Sequence, residues 1–352
     1  MEDTAPKYTV DEAVTIYKNS LLSDNKDREY LKVKISTAGE GKPFIKQLQS
    51  FNSVWGNCKF YINENIPECD LWVVYGGLKE KEYVSVPSDM VLFITTEPET
   101  VHTYSKKFLE QFSVILTSQE SIQHPNSIHQ QEALPWWVGY TINTEDSIYN
   151  KTYTELKNST TPQKEKLASI IVSNKTFTPG HKKRYAFAQK LKKELGSEID
   201  FYGIGEKIIN DKWDAIAPYK YHITLENNST KNYFTEKLSD AFLAESYPLY
   251  YGCTNIYDYF PADSLTTIDI EKEDIAIEKI RSILHSDTYE KSIDSLHTAK
   301  NLILDTHQIF PMIHACILKH HTQKEKTIIT LTPEKESIVF SFLRKIKKYL
   351  HI

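Results

Sequence analysis

The residues best equipped for chemistry cluster in Leu225-Glu226-Asn227-Asn228-Ser229-Thr230-Lys231-Asn232-Tyr233-Phe234-Thr235-Glu236-Lys237. Thr235 carries the hydroxyl that can cap a helix opening at Glu236, where first-turn N–H groups are unpaired and the helix dipole is positive. Such a helix start attracts anions. Glu236 suits that position, whereas a cation at Lys237 costs roughly a few tenths of a kcal/mol unless an anion lies beside it. A diphosphate would be such an anion; the competing reading turns Lys237 toward water. A second cation, Arg184, is expected in the first turn of the helix that follows strand Ala168 to Ser173, with Lys182 or Lys183 as alternatives. Taken alone, Arg184 reads as a surface charge. Together, the planar fork of an arginine and the point charge of a lysine can hold a departing nucleoside diphosphate without a metal.

These groups need a scaffold, and the apolar runs supply it. In the first half, Leu31 to Ile35, Leu71 to Tyr75, Val91 to Ile94 and Phe112 to Leu116 read as strands. Runs such as LWVVYGG and MVLFITT are apolar at consecutive positions, which suits strands covered on both faces, as in a parallel α/β sheet. Helices are expected between them, for example around Phe44 to Phe51. From Tyr140 to about Lys166 the chain turns polar and reads as a linker. Strand and helix signals then alternate: KLASIIVS, the helix KKRYAFAQKLKKELG closed by Gly196, IDFYGIG, YHITLEN, the helix TEKLSDAFLAESY, and PLYYG. This is a second doubly wound α/β domain. A chain of 352 residues accommodates two such cores, and the expected division is 1–150 and 151–352. The cluster at 225–237 then lies beyond the carboxyl end of a strand, where open α/β sheets bind ligands.

From about Glu271 the spacing becomes helical, through Ile277, Ile280 and Leu284, then Tyr289, Ile293 and Leu296. A last amphipathic helix is expected to open at Thr332 and Pro333 and to present Ile338, Phe342 and Ile346 on one face, with Arg344, Lys345, Lys347 and Lys348 on the other. It either docks on the protein with solvated lysines or makes peripheral contact with an anionic membrane surface.

Composition narrows the classes of partner. A formal net charge of -5 offers no basic field for a phosphodiester backbone, so no nucleic acid is expected. Cys58, Cys69, Cys253 and Cys316 are scattered without a CxxC pair, so free thiols and no metal site are expected. The start MEDTAPKYTV has no apolar stretch behind a basic one, and no run long enough to span a bilayer occurs; the expected location is cytoplasmic. Trp136-Trp137 reads either as a platform for a sugar or as a buried anchor. His320-His321 reads as a solvated helix end, and Gly203-Ile204-Gly205 is too short for a dinucleotide fingerprint.

The segment Tyr219 to Gly252, YKYHITLENNSTKNYFTEKLSDAFLAESYPLYYG, resembles the donor-binding signature of the α1,3-fucosyltransferase family, glycosyltransferase family 10. It has a Tyr-Lys before a strand, a Glu-Asn, a Tyr-x-Thr-Glu-Lys, a helix, and a Pro-led strand ending in Gly. The resemblance runs from Ser173-Asn174 to Phe260-Pro261. It implies a GT-B fold, two Rossmann-like domains facing a cleft, with a helical C-terminal extension. It also implies GDP-fucose as donor, with no cofactor, and a carbohydrate hydroxyl as acceptor, such as one on N-acetylglucosamine in a surface polysaccharide. By the same resemblance Arg184 and Lys237 hold the pyrophosphate, Asn227 and Tyr233 shape the donor pocket, and Glu236 binds donor hydroxyls. Ser173-Asn174 matches the family's strand-end pair. Inverting transfer needs a general base, and the family places its base in the acidic segment after a first-domain strand. Here that is Glu97, with Glu99 as the alternative and two ordinary loop carboxylates as the plain reading. Two other functions compete: the same fold using another nucleotide sugar, and a catalytically silent carbohydrate-binding protein. The joint retention of Glu97, Arg184, Tyr233, Glu236 and Lys237 argues against the latter, because a lectin needs no diphosphate cradle.

Overall fold

The computed structural model describes residues 7–23, 29–141, 147–174, 176–203, 205–320 and 324–334. Its first sheet runs in the order Val54–Trp55, Cys58–Ile62, Leu31–Thr37, Leu71–Tyr75, Val91–Ile94, Val114–Thr117, Ser127–His129. Every neighbouring pair is parallel except the first. Leu71–Tyr75 and Val91–Ile94 are buried at every position, which is why their apolar residues are consecutive rather than alternating. The second sheet, Ile199–Tyr202, Lys166–Ile171, Tyr219–Leu225, Tyr247–Tyr251, Thr266–Thr267, is parallel throughout. Two doubly wound sheets of this kind make the GT-B architecture that the resemblance implied.

Strand order locates the crevices. In the second sheet the chain passes from Lys166–Ile171 outward to Ile199–Tyr202 and then returns to the opposite side at Tyr219–Leu225. The reversal opens a switch point between Lys166–Ile171 and Tyr219–Leu225, beyond their carboxyl ends. The helix Pro179–Leu195 covers this sheet because Phe187, Ala188, Leu191 and Leu195 recur at helical spacing and are all buried. Each of the larger three contributes roughly 1.5–3 kcal/mol before ordering entropy.

Three expectations need correction. Among its described residues, the polar stretch after Tyr140 is not irregular throughout. Tyr140–Thr141 and Tyr8–Thr9 flank Ile148–Tyr149 in a small antiparallel sheet, and Thr152 with Glu155 forms a capping box on the helix Tyr153–Asn158. Around Phe44 to Phe51 there is no continuous helix: Lys42–Ile45 is followed by a 3-10 turn at Gln49–Phe51, where Ser50 and Phe51 adopt positive φ and turn the chain. The C-terminal part of 151–352 does not stay with the second sheet. Ile309, Phe310, Ile313 and Ile317 of the helix Ile309–His320 pack into the first core, and Lys326–Leu331 pairs antiparallel with Glu82–Pro87. Glu334 then anchors the return, accepting from Ser105 N–H at 2.6 Å and meeting His102 Nε2 at 3.0 Å. The expected helix through Ile338, Phe342 and Ile346 lies outside the described residues, as does His321.

Candidate functional site

Both cations expected at the second sheet converge on its switch point. Strand Tyr219–Leu225 delivers Glu226 just beyond its end, where the carboxylate is 1% exposed. It accepts from the Thr235 N–H at 2.8 Å and from Thr235 Oγ1 at 2.9 and 2.8 Å. That closes the intervening loop onto the helix Glu236–Leu243. Thr235 is its N-cap, accepting from Lys237 N–H at 3.3 Å. Lys237 does not turn to water. Its Nζ lies 3.3 Å from Glu226 and 3.2 Å from Glu236, and donates to Thr235 Oγ1 at 2.9 Å. Burial draws this ammonium down, but Glu226 and Glu236 outweigh it and hold it above its usual range. Burial likewise pushes the Glu236 carboxyl up, and Lys237 followed by Lys212 overcomes that, bringing it down to about 2. The protein's own carboxylates thus neutralise the first-turn lysine.

Arg184 enters from the other side of the switch point. Its helix begins at Pro179 with Thr178 as N-cap, so Arg184 lies in the second turn, not the first. It is 5% exposed and donates to Ser173 Oγ at 3.1 Å, so Ser173 orients the guanidinium. Lys182 and Lys183 are exposed, and Lys183 is paired with Glu271, which leaves Arg184 as the inward-directed cation of this turn. Asn174 is exposed. Gly180 is required where the two segments meet: a Cβ there would lie 1.8 Å from the Asn227 carbonyl oxygen. Arg184 Nε and Asn227 Oδ1 are both buried without a hydrogen-bond partner. Such orphans are uncommon in folded proteins, and a polar ligand in this crevice could satisfy both.

The first domain presents a carboxylate wall. Glu97 follows the buried strand Val91–Ile94 on a bend and is half-buried, whereas Glu99 is exposed. Gln119 Nε2 donates to the Glu97 and His102 carbonyls at 2.8 and 2.9 Å and so fixes the bend. Gly76, at positive φ, keeps the neighbouring strand end open, since a Cβ would stand 2.9 Å from Thr96 Oγ1. Glu132 was not expected here. It is 2% exposed, accepts from Thr95 Oγ1 and from Ser118 N–H and Oγ at 3.1 and 2.9 Å, and ties together the ends of two strands. Burial, with the Glu97 charge adding to it, pushes the Glu132 carboxyl up to about 7 despite these donors.

Tyr233 lies within electrostatic range of carboxylates on both walls. Its buried phenol is driven well above its usual pKa by burial, then by Glu97, Glu226, Glu132 and Glu236 in that order. Carboxylates of both domains therefore act on one ring. Between the domains, the strap 136–139 is held by charges that sequence reasoning did not single out. Asp240, with no exposed surface, accepts from Trp137 and Val138 N–H at 2.7 and 3.0 Å and pairs with Lys212 at 2.9 Å. Asp211 accepts from Gly139 N–H at 2.9 Å, and Lys46 donates to the Val138 carbonyl at 2.9 Å. Burial brings the Lys46 amine down to about 7, against the pull of Asp240 and Asp211. Trp136 is buried beneath Lys46 and donates to the Lys151 carbonyl at 3.3 Å, so it is an anchor. These partners of the strap are distant in sequence, and none of them carries a local signal.

Residues 161–301 match the family model described as glycosyltransferase family 10 (fucosyltransferase) C-term. Over that span the chain is similar to the C-terminal part of glycosyltransferase family 10. The matched span contains both strands of the switch point and every second-domain residue of the site. The chain is 33% identical over 171 residues to the human 4-galactosyl-N-acetylglucosaminide 3-alpha-L-fucosyltransferase 9, covering 47% of this chain and 45% of that one. It is 40% identical over 114 residues to the Mus musculus protein of the same name, covering 31% and 30%. The chain thus spans less than half the length of these curated relatives. A crystal structure of an alpha1,3-fucosyltransferase is similar at a TM-score of 0.49 and 18% identity, over 82% of this chain and 93% of that one. Among the described residues, no group of three His, Cys, Asp or Glu side chains is disposed to hold a metal ion, and no helix is long and apolar enough to cross a membrane.

Proposed function

We propose that the chain transfers L-fucose from GDP-fucose to a hydroxyl of a glycan acceptor, with inversion and with Glu97 as general base. The observation that carries this reading is the pair of unsatisfied buried groups at the switch point, Arg184 Nε and Asn227 Oδ1, where the start of Pro179–Leu195 meets the loop after Glu226. The acceptor proton passes to the Glu97 carboxylate as the acceptor oxygen bonds to the anomeric carbon. The bond from that carbon to the β-phosphate oxygen breaks, and the pair stays on GDP. Arg184 and Lys237 stabilise the charge that develops on the diphosphate. The unpaired Arg184 Nε–H supplies a donor for phosphate oxygen, and Asn227 Oδ1 an acceptor for a hydroxyl or guanine N–H. Glu236 binds donor hydroxyls. The names of the human and mouse relatives motivate an N-acetylglucosamine residue as acceptor, with an α1,3 linkage.

Calorimetric titration tests the donor half. GDP and GDP-fucose are expected to bind without added metal, GDP-mannose more weakly, and UDP-galactose not at all. Binding of the uridine nucleotide in preference to the guanine nucleotides would transfer the reading to another donor, and failure of every nucleotide would leave a carbohydrate-binding protein.

A further inference from the structure

A second pocket, of about 540 Å³, lies away from the cleft. It is bounded by Tyr30, Trp55 and Tyr153 and by Gln49, Ser50 and Asn52. Charged residues make up 25% of the sequence, yet none of the described lining residues is charged. The volume falls in the range of small-ligand sites. Position separates it from the transfer site. Tyr30 directly precedes the strand Leu31–Thr37, and Gly56 lies in the turn before Cys58–Ile62, so the pocket sits at the amino ends of these strands. Glu97 follows the carboxyl end of a parallel neighbour. Seven residues at about 3.3 Å each place roughly 20 Å between the two ends.

The aromatic side is rigidly held. Trp55 stays half-buried, with Tyr153 edge-on at 5.1 Å and Phe310 stacked at 6.5 Å. Tyr153 is fixed through its hydroxyl, which donates to Asp305 at 2.9 Å. Gly56 allows the tight turn beside Trp55: it has φ 60°, and a Cβ would strike the His314 ring at 2.4 Å. The polar side is held in a costly conformation. Ser50 and Phe51 are consecutive non-glycine residues at φ 49° and 58°, and the Ser50 N–H is clamped by Thr154 Oγ1 at 2.8 Å. Left-handed backbone of this kind costs about 1–3 kcal/mol per residue and clusters at ligand-binding positions. Gln49, Ser50 and Asn52 are exposed, with amide and hydroxyl groups that both donate and accept. Rigid aromatic faces beside neutral amides complement a pyranose, which has an apolar C–H face and a rim of hydroxyls.

We infer that this pocket is a second, non-catalytic binding site for a neutral saccharide, distant from the transfer cleft. The inference rests on the proposed glycan-modifying function, in which the pocket would retain another part of a long acceptor. Fluorine NMR of the full chain labelled with fluorotryptophan tests it, with Trp55→Phe assigning the Trp55 signal among the five tryptophans. N-acetyllactosamine oligomers are added with the cleft saturated by GDP. The expected result is a progressive shift of the Trp55 signal with Kd of about 1 mM, weakened at least about fivefold when exposed Gln49 and Asn52 are both changed to Ala. A Trp55 signal unmoved at about ten times that concentration, or moved equally in Q49A/N52A, overturns the inference. The readout needs no turnover. A chain that binds GDP-fucose but leaves Trp55 unmoved loses only this pocket, whereas one that moves Trp55 but binds no guanine nucleotide loses only the transferase reading.

Discussion

Lys237→Met removes a charge whose surroundings are fully specified. The Nζ makes ion pairs of 3.3 Å with Glu226 and 3.2 Å with Glu236, and a hydrogen bond of 2.9 Å to Thr235. Glu226 is the group left worse off: its side chain has no exposed surface, and it keeps the donors on Thr235 but loses its closest cation. Loss of one hydrogen bond to a charged group costs about 1.5–3 kcal/mol, and that is the expected fall in unfolding free energy. The same substitution removes one of two cations proposed to meet the diphosphate. A contact of that strength corresponds to about 10–150-fold in Kd. Urea unfolding followed by tryptophan fluorescence, and calorimetry with GDP near neutral pH, measure the two effects on one preparation. If stability falls as expected while GDP affinity stays within about twofold, Lys237 is a counter-ion of Glu226 and Glu236 only, and the phosphate role is refuted.

Further outcomes follow from the same geometry. Glu97→Gln is expected to retain GDP-fucose affinity while transfer falls about 10²–10⁴-fold, because Gln119 holds the backbone carbonyl and not the carboxylate; undiminished turnover would remove Glu97 as the base. The Glu236 carboxyl sits at about 2 in the folded chain, below its unfolded value, so it contributes stability that is present above the unfolded pKa and lost as pH falls through the folded one. Urea midpoints should therefore drop between about pH 5 and 2, and less steeply in Glu236→Gln. Gly180→Ala must displace the Asn227 carbonyl, only 1.8 Å from the added Cβ, and is expected to weaken GDP binding at least about tenfold by calorimetry. Asp240→Asn sets an amide N–H₂ or a weaker acceptor against the strap, so hydrogen exchange at the Trp137 and Val138 amides should accelerate relative to neighbouring strands.

The parts of the structure that could be read from sequence are those whose determinants are local. Leu71–Tyr75 and Val91–Ile94 announce burial on both faces through consecutive apolar residues, and Thr235-Glu236-Lys237 announces a helix start through its capping hydroxyl. What stayed hidden depends on distant partners. Ile309–His320 has an apolar face, but nothing in its periodicity says that it packs on the first core rather than the second. The strands Tyr140–Thr141 and Ile148–Tyr149 are too short for any period to register. At the site, the direction of Lys237 was open because its partners Glu226 and Glu236 act only once the loop closes. Glu132, Lys212, Asp240 and Lys46 carry no motif, and their importance arises from burial against residues that the fold alone brings near.

Proton NMR of a reaction containing the full chain, GDP-fucose and N-acetyllactosamine decides whether this protein carries out inverting fucosyl transfer. An α-linked fucosyl product, visible by its anomeric proton coupling, is expected to accumulate in step with released GDP and to be absent in Glu97→Gln. A β-linked product would contradict the displacement geometry, and GDP-fucose left intact with every acceptor offered would contradict the transferase reading itself.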